Sequence, residues 1–318
     1  MTAVAQSSIP AVDAPAIRTR RLSKRFGSTV ALEGLDLEVM AGEVFGFLGP
    51  NGAGKSTTVR LLLGMLHPTA GRAWVFGVDA ADVETAHRRL AYVPADVALW
   101  PSLTGAEILE LAARLGAGVD IGYRTSLIRR FELEVDRRAR TYSSGNRPKV
   151  ALVAAFASRA PLLVMDEPTS GLDPLMEREF RHCVAEARER GQTVFLSSHQ
   201  LSEVEALCDR VGILRTGRLV EVAGLADLRR LRRIEVEVTF AGVPHGLDTL
   251  AALPGVEDVV WPAPDRLQVS LAGAVGPSLH RITAERVVAL SIREPTLEEI
   301  FLEYYGGGTT EARSGDQP

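Results

Sequence analysis

The segment GPNGAGKST, Gly49 to Thr57, fits G-x-x-x-x-G-K-[ST] through Gly49, Gly54, Lys55 and Ser56, and it stands between the apolar run VFGFL and the helical pattern TTVRLLLGML. That is the setting a phosphate loop requires. Glycines let successive backbone amides curl around a polyphosphate. Gly49, Pro50, Asn51, Gly52, Ala53 and Gly54 form the cradle, Lys55 brings a cation to the outer phosphates, and Ser56 and Thr57 open the helix, the Ser56 hydroxyl as a ligand for Mg²⁺.

Further along, LLVMDEP ends a short apolar run on Asp166 and Glu167, and TVFLSSH ends the next on His199. Open α/β sheets collect their ligands outside the carboxyl ends of the strands, so these side chains belong at one edge. Adjacent carboxylates divide the work. Asp166 holds Mg²⁺ through water, and Glu167 polarises an attacking water, a role worth roughly 10² to 10⁴ in rate. A solvated strand end is the bland alternative for the pair. His199 stands where it can sense a terminal phosphate, although a histidine taken alone is as well suited to capping.

A third anion-attracting feature is TYSSGNRPKV, Thr141 to Val150, where two serines, Gly145 and Asn146 precede an apolar run. It reads as a helix N-terminus with exposed amides, either an ordinary cap or a site for someone's anion.

The elements that carry these residues follow from periodicity. VFGFLG, LAYV, LLVMD and TVFLSS are short continuous apolar runs between helical patterns, as expected for parallel strands covered on both faces. In LEGLDLEVM, by contrast, Leu35, Leu37 and Val39 alternate with Asp36 and Glu38, the period of a half-buried strand in a small antiparallel sheet. A helical insertion opens at the capping box Thr104 to Glu107, continues through Ile108, Leu111 and Leu115, and ends at the serines. RVGILRTGRLVEVA predicts a hairpin turning at Thr216 and Gly217.

Near Arg233 the periodicity changes. IEVEVTF and RLQVSL alternate as strands, a helix is expected near Arg281 to Leu290, and a last one, with capping box Thr296 to Glu299, presents Leu297, Ile300, Phe301 and Tyr304. The chain thus divides into a disordered leader at 1–16, an α/β domain at 17–232, an α+β domain at 233–305 and a disordered tail at 306–318. The stretch Arg229 to Arg233 reads as a solvated linker face rather than an anionic-lipid contact.

The chain has 318 residues, 46% of them apolar, enough for a well-buried core, and a net charge of −4. That charge leaves no basic field to draw in nucleic acid, which is therefore not an expected partner. The start, MTAVAQSSIPAVDAPAIRTRR, lacks a basic segment followed by an apolar block, and the run VALVAAFASRAPLLVM is broken by Arg159 and Pro161. No signal peptide or membrane span is expected. Cys183 and Cys208 lie in amphipathic helical patterns and read as buried structural thiols.

The order and spacing of these elements, from about Arg18 to Tyr305, resemble the nucleotide-binding subunit of ATP-binding cassette (ABC) transporters. The ending REPTLEEIFLEYYG resembles the extra domain of exporters of the daunorubicin-resistance type. The resemblance implies a P-loop NTPase cassette with a parallel sheet core, a small antiparallel β subdomain and a helical subdomain, followed by a small C-terminal α+β domain. It implies ATP and Mg²⁺, a separately encoded membrane permease, and a second cassette, identical or related, that meets the first head to tail. The place of action would be the cytoplasmic face of a bacterial membrane, and the cargo drugs or other hydrophobic compounds.

On the same resemblance YSSGN is the signature segment, whose Ser143 and Gly145 touch the γ-phosphate of ATP held by the other cassette. Ser170 to Asp173, SGLD, is the D-loop, and His199 is the switch histidine. Phe26, in SKRFGSTVAL, matches the aromatic residue that stacks on adenine, the alternative being a core aromatic of the small sheet. Stacking needs no base-specific hydrogen bond, so a guanine would also fit.

Two positions depart from the family pattern. The signature Leu-Ser-Gly-Gly-Gln is here Tyr142, Ser143, Ser144, Gly145 and Asn146, which adds a side chain where backbone approaches phosphate and points to slow turnover. Ala95 stands where the family has a glutamine that reaches Mg²⁺ and the attacking water. Asp96, one residue on, either replaces it through a bridging water or is simply solvated. The apolar stretch Val97, Leu99, Trp100 and Leu103 either contacts the membrane subunit or packs into the helical subdomain. Two other classes share the phosphate contacts: a soluble cassette ATPase of DNA repair or translation, and a regulatory cassette with little hydrolysis. A single cassette without a coiled-coil insert speaks against the first, and Glu167 with His199 against the second.

Overall fold

The computed structural model describes residues 15–226, 234–247, 249–272 and 275–293. The chain opens on two long antiparallel strands, β1 (Pro15–Phe26) and β2 (Thr29–Met40). Pro15 and Ala16 thus belong to the sheet and not to the leader expected over 1–16. On β2 the alternation is realised: Leu35, Leu37 and Val39 are buried, and Asp36 and Glu38 are exposed. β3 (Val44–Leu48), buried throughout, leads through the phosphate loop into α1 (Lys55–Leu62). β4 (Ala70–Val75) and β5 (Val78–Asp79) then complete a four-stranded antiparallel sheet in the order β2-β1-β4-β5.

After α2 (Val83–His87) and β6 (Leu90–Val93) comes the helical insertion of α3 (Gly105–Leu115), α4 (Ile121–Arg130) and α5 (Asn146–Ala157). The capping box is present: the Glu107 amide donates to Thr104 Oγ1 at 3.2 Å, and the Thr104 amide donates to Glu107 Oε2 at 2.8 Å. The hydrogen bonds that the Glu107 carboxylate accepts from the Thr104 amide and hydroxyl hold it below its usual range. The buried face of α3 is Ile108 and Leu109, with Leu111 half-buried. Leu115, expected on that face, is exposed because it is the last residue before the helix stops at Gly116.

β7 (Leu162–Asp166), α6 (Pro174–Glu189), β8 (Thr193–Ser198), α7 (Leu201–Leu207), β9 (Arg210–Arg215) and β10 (Arg218–Gly224) finish this part of the chain. The central sheet has six strands in the order β10-β9-β3-β8-β7-β6. All neighbours run parallel except β9 and β10, joined by the expected hairpin, in which Thr216 and Gly217 have φ of 46° and 78°. Both central residues of a type I′ turn need positive φ. Alternate residues of one strand feed opposite cores: Leu163 and Met165 join the helical insertion, and Leu162 and Val164 pack with α1 and the first sheet. A strand buried on both faces has no polar alternation, hence the continuous apolar runs.

The two compact units of the chain divide between Gly224 and Leu225. The second holds β11 (Ile234–Phe240), β12 (Val256–Ala263), β13 (Arg266–Leu271), α8 (Gly276–Thr283) and β14 (Val287–Arg293), with sheet order β12-β13-β11-β14, all antiparallel. Val236, Val238 and Phe240 are buried as their alternation predicts. The helix expected near Arg281 to Leu290 is corrected. α8 ends at Thr283, and Val287, Val288 and Ile292 belong to a strand paired with β11. Their β-branched side chains lose χ1 freedom in a helix and pack well on a pleated sheet. The last helix expected from Thr296, the basic stretch to Arg233 and the tail lie outside the described residues.

Cys183 is buried and its thiol is pushed up to about 12 by that burial, and burial raises Cys208 as well; both are free. Neither has the lowered pKa of a reactive thiol. Among the described residues, no helix is long and apolar enough to cross a membrane.

Candidate active site

The phosphate loop leaves β3 at Gly49, whose amide donates to Ser198 O at the end of β8, 3.3 Å. A side chain is impossible there, because a Cβ would lie 2.4 Å from Leu214 O. Gly54 is equally constrained: its φ is 111°, and a Cβ would lie 2.6 Å from Ala31 O. The loop is further tied by Gly217 N donating to Ala53 O at 2.9 Å. Gly54 caps α1 without a side-chain acceptor, so the first amides of that helix keep their hydrogen-bonding capacity for an anion.

Lys55 is folded into the loop and only 4% exposed. Its Nζ donates to Gly49 O at 2.6 Å and to Pro50 O at 3.3 Å, and stands 3.3 Å from Glu167 Oε1. Asp166, the last residue of β7, is buried and accepts a hydrogen bond from Ser197 Oγ on β8. Tyr92 of β6 lies close by, its hydroxyl pKa raised by burial and by the charge of Asp166.

Glu167 has left the strand direction. Its φ of 48° is unfavourable for a residue with a Cβ, at a typical cost of about 1–3 kcal/mol, and its amide donates to Ser197 O at 3.0 Å. The turn aims the carboxylate across the sheet edge, with Oε2 3.3 Å from His199 Nδ1 and Oε1 at Lys55. Lys55, Glu167 and His199, far apart in sequence, therefore meet at one carboxylate, with Asp166 immediately before it on β7.

Ser56 and Asp166 are hard oxygen donors. Among the described residues no group of three or more His, Cys, Asp and Glu is arranged around a metal. That donor set fits Mg²⁺, which is usually bound by one or two carboxylates plus substrate phosphates rather than by a protein cage.

The signature segment adopts a different arrangement. α5 begins at Asn146 with Gly145 at its cap, and no side chain caps it, so neither serine is the ordinary cap of this helix. Ser143 and Ser144 are exposed, while Tyr142 is buried beneath them and donates from its hydroxyl to Glu134 O at 2.6 Å. The nearest neighbour a Cβ on Gly145 would meet is Gly171 O of SGLD, at 3.7 Å. Asp173 of that turn caps α6, accepting from the Leu175 and Met176 amides. Among the described residues, no hydrogen bond or ion pair joins Ser143 or Gly145 to Lys55, Glu167 or His199.

Phe26 ends β1 and is 49% exposed, with Lys24 Nζ 5.1 Å from the ring centroid, so it is not a core aromatic. Ala95 and Asp96 are both exposed in the loop after β6. The apolar stretch beyond them splits: Val97 is buried and Leu99 and Leu103 pack on the helical core, while Trp100 is 58% exposed. Ser197 and Tyr92 carry no sequence signal as site residues. Each is an unremarkable strand position whose role comes from its neighbour across the sheet.

A family model described as ABC transporter matches residues 32–170. The chain is 31% identical over 304 residues to the bacitracin transport ATP-binding protein BcrA of Bacillus licheniformis, covering 92% of this chain and 98% of that one. It is 37% identical over 308 residues to the daunorubicin resistance ATP-binding protein DrrA3 of Streptomyces coeruleorubidus, covering 92% and 96%. A solved structure described as an ATP binding subunit of an ABC transporter superposes with a TM-score of 0.63 at 34% identity, covering 68% of this chain and 92% of that one.

Proposed function

The chain belongs to the ABC transporter family as an ATP-binding, ATP-hydrolysing subunit, and on that premise we propose that it powers a separately encoded membrane permease exporting drugs or other hydrophobic compounds from a bacterial cell. The roles of its relatives, bacitracin transport and daunorubicin resistance, support export of such cargo. It acts at the cytoplasmic face, paired with a second cassette that is either another copy or a related chain. A regulatory cassette without hydrolysis is not favoured, because the hydrolytic groups are assembled.

The observation that carries the reading is the meeting of Lys55 and His199 on the two oxygens of Glu167. In the proposed cycle the amides from Gly49 to Thr57 and the Lys55 ammonium hold the phosphates of ATP. Mg²⁺, held by Ser56 and through water by Asp166, would neutralise phosphate charge. Glu167 accepts the hydrogen bond of the attacking water and draws off its proton as the new O–P bond forms and the bond from the γ-phosphorus to the bridging oxygen breaks, releasing ADP and phosphate, and His199 holds the γ-phosphoryl oxygens in place. Ser143 and the Gly145 amide serve the ATP of the other cassette, which suits the exposure of Ser143 and, among the described residues, the lack of any hydrogen bond or ion pair from either to this chain's own Lys55 group.

The pairing is tested by measuring ATP turnover per protomer across a dilution series. The rate is expected to rise with protein concentration to a plateau, and Ser143→Ala to lower that plateau by about 10²-fold, the usual loss for one oxyanion donor. A per-protomer rate indifferent to dilution would sink the paired site. For Phe26→Ala the expected result is an ATP KM raised about tenfold at little change in kcat, since a stacked base is worth roughly 1–3 kcal/mol.

A further inference from the structure

Glu203, in the first turn of α7, is 6% exposed. Carboxylates are rarely that buried unless paired with a cation, and among the described residues no ion pair involves Glu203. Its Oε2 accepts from Ser198 Oγ at 2.6 Å, and its Oε1 is buried with no hydrogen-bond partner. The Thr169 side chain also lies against this carboxyl. Burial raises its pKa.

The two residues that this carboxyl touches flank the hydrolytic pair. Ser198 immediately precedes His199, and its carbonyl accepts the Gly49 amide that starts the phosphate loop. Its Oγ also accepts the Gln200 amide at 3.0 Å, so the turn carrying His199 is folded around this hydroxyl. Thr169 lies in the turn that closes back on Glu167, where the Ser170 amide donates to Glu167 O at 3.1 Å. Docking α7 needs none of this. Val204 is fully buried, and α7 approaches β3 so closely that a Cβ on Gly46 would lie 2.6 Å from Val204 Cγ1.

A carboxyl this deeply buried and held by no ion pair among the described residues is an expensive way to hold a helix that already has an apolar anchor. We infer that Glu203 is a positioning residue, locking the turn before His199 to the turn after Glu167 so that the histidine stays on the carboxylate during hydrolysis. The inference rests on the hydrolytic reading above. It assigns Glu203 no contact with nucleotide; its effect runs through Ser198 and Thr169.

The test is steady-state ATP hydrolysis by the full chain, with kcat, KM and melting midpoint measured for Glu203→Ala, Glu203→Gln, Ser198→Ala and the double alanine variant. Misplacing a group by a fraction of an ångström is costly, so Glu203→Ala is expected to lose about tenfold in kcat with KM within about twofold of wild type. Ser198→Ala, which also removes the acceptor of the Gln200 amide, should lose at least as much, and the double variant should be no worse than Ser198→Ala, because that change has already cut the hydrogen bond to Glu203. Glu203→Gln keeps an acceptor for Ser198 and should retain most of the kcat. Wild-type kcat in a folded Glu203→Ala, equal losses in Gln and Ala, or a kcat loss matched by a KM rise would each overturn the inference. Glu167→Gln, measured alongside, separates the two readings. If it turns over within about tenfold of wild type, the base assignment fails; if it falls further than that while folded Glu203→Ala keeps wild-type kcat, only the positioning role fails.

Discussion

Glu167→Gln is expected to lower ATP turnover by about 10²- to 10⁴-fold, the span that a positioned general base contributes, while ATP binding survives. The substitution is close to isosteric and leaves the backbone problem unchanged, since neither side chain is relieved of the positive φ of 48°. What disappears is the negative charge between Lys55 and His199, and with it the group able to take a proton from water. Lys55 stays in place through Gly49 O and Pro50 O. Removing an anion from beside a polyphosphate lowers repulsion, so affinity for ATP should hold or rise. Single-turnover phosphate release together with nucleotide titration separates the two effects, and turnover within about tenfold of wild type would rule Glu167 out as the base.

The same geometry shows how far the sequence was legible. The phosphate loop could be read because its glycines answer local demands, at Gly54 a positive φ and at Gly49 a backbone contact, that no other residue meets. The buried strands could be read because covering both faces forces a continuous apolar run, and the capping box of α3 because its partners are three residues apart. Residues from 281 to 290 were misread because a short amphipathic helix and an edge strand with few buried positions leave similar patterns. There the β-branched Val287 and Val288 were the better guide. Glu203 and Ser197 could not be read at all. Their partners, Ser198 with Thr169 and Asp166, come together only through the parallel pairing of β7 with β8 and the return of α7. Phe26 was legible by resemblance, but its exposure depends on where β1 ends.

Replacing Lys55 by alanine should strike binding rather than the bond-breaking step alone. Its ammonium carries three donors, which face Gly49 O at 2.6 Å, Pro50 O at 3.3 Å and Glu167 Oε1 at 3.3 Å, so a phosphate in the cradle would take over one of the two longer contacts. A hydrogen bond to a charged group is worth about 1.5–3 kcal/mol, and the phosphates would lose at least one, so ATP affinity is expected to fall about 10²-fold and turnover at least as far. Lys55→Arg should not rescue it, because a planar guanidinium cannot occupy a pocket closed by two carbonyls and a carboxylate around a compact ammonium. The fold should tolerate the alanine better than a fully buried ion pair would, since the Glu167 side chain is 22% exposed and can be solvated once its cation is gone. Equilibrium titration with a fluorescent ATP analogue and a melting curve read the two quantities apart. Near wild-type affinity in folded Lys55→Ala would mean that the helix amides alone hold the phosphates and that the lysine serves only the Glu167 carboxylate.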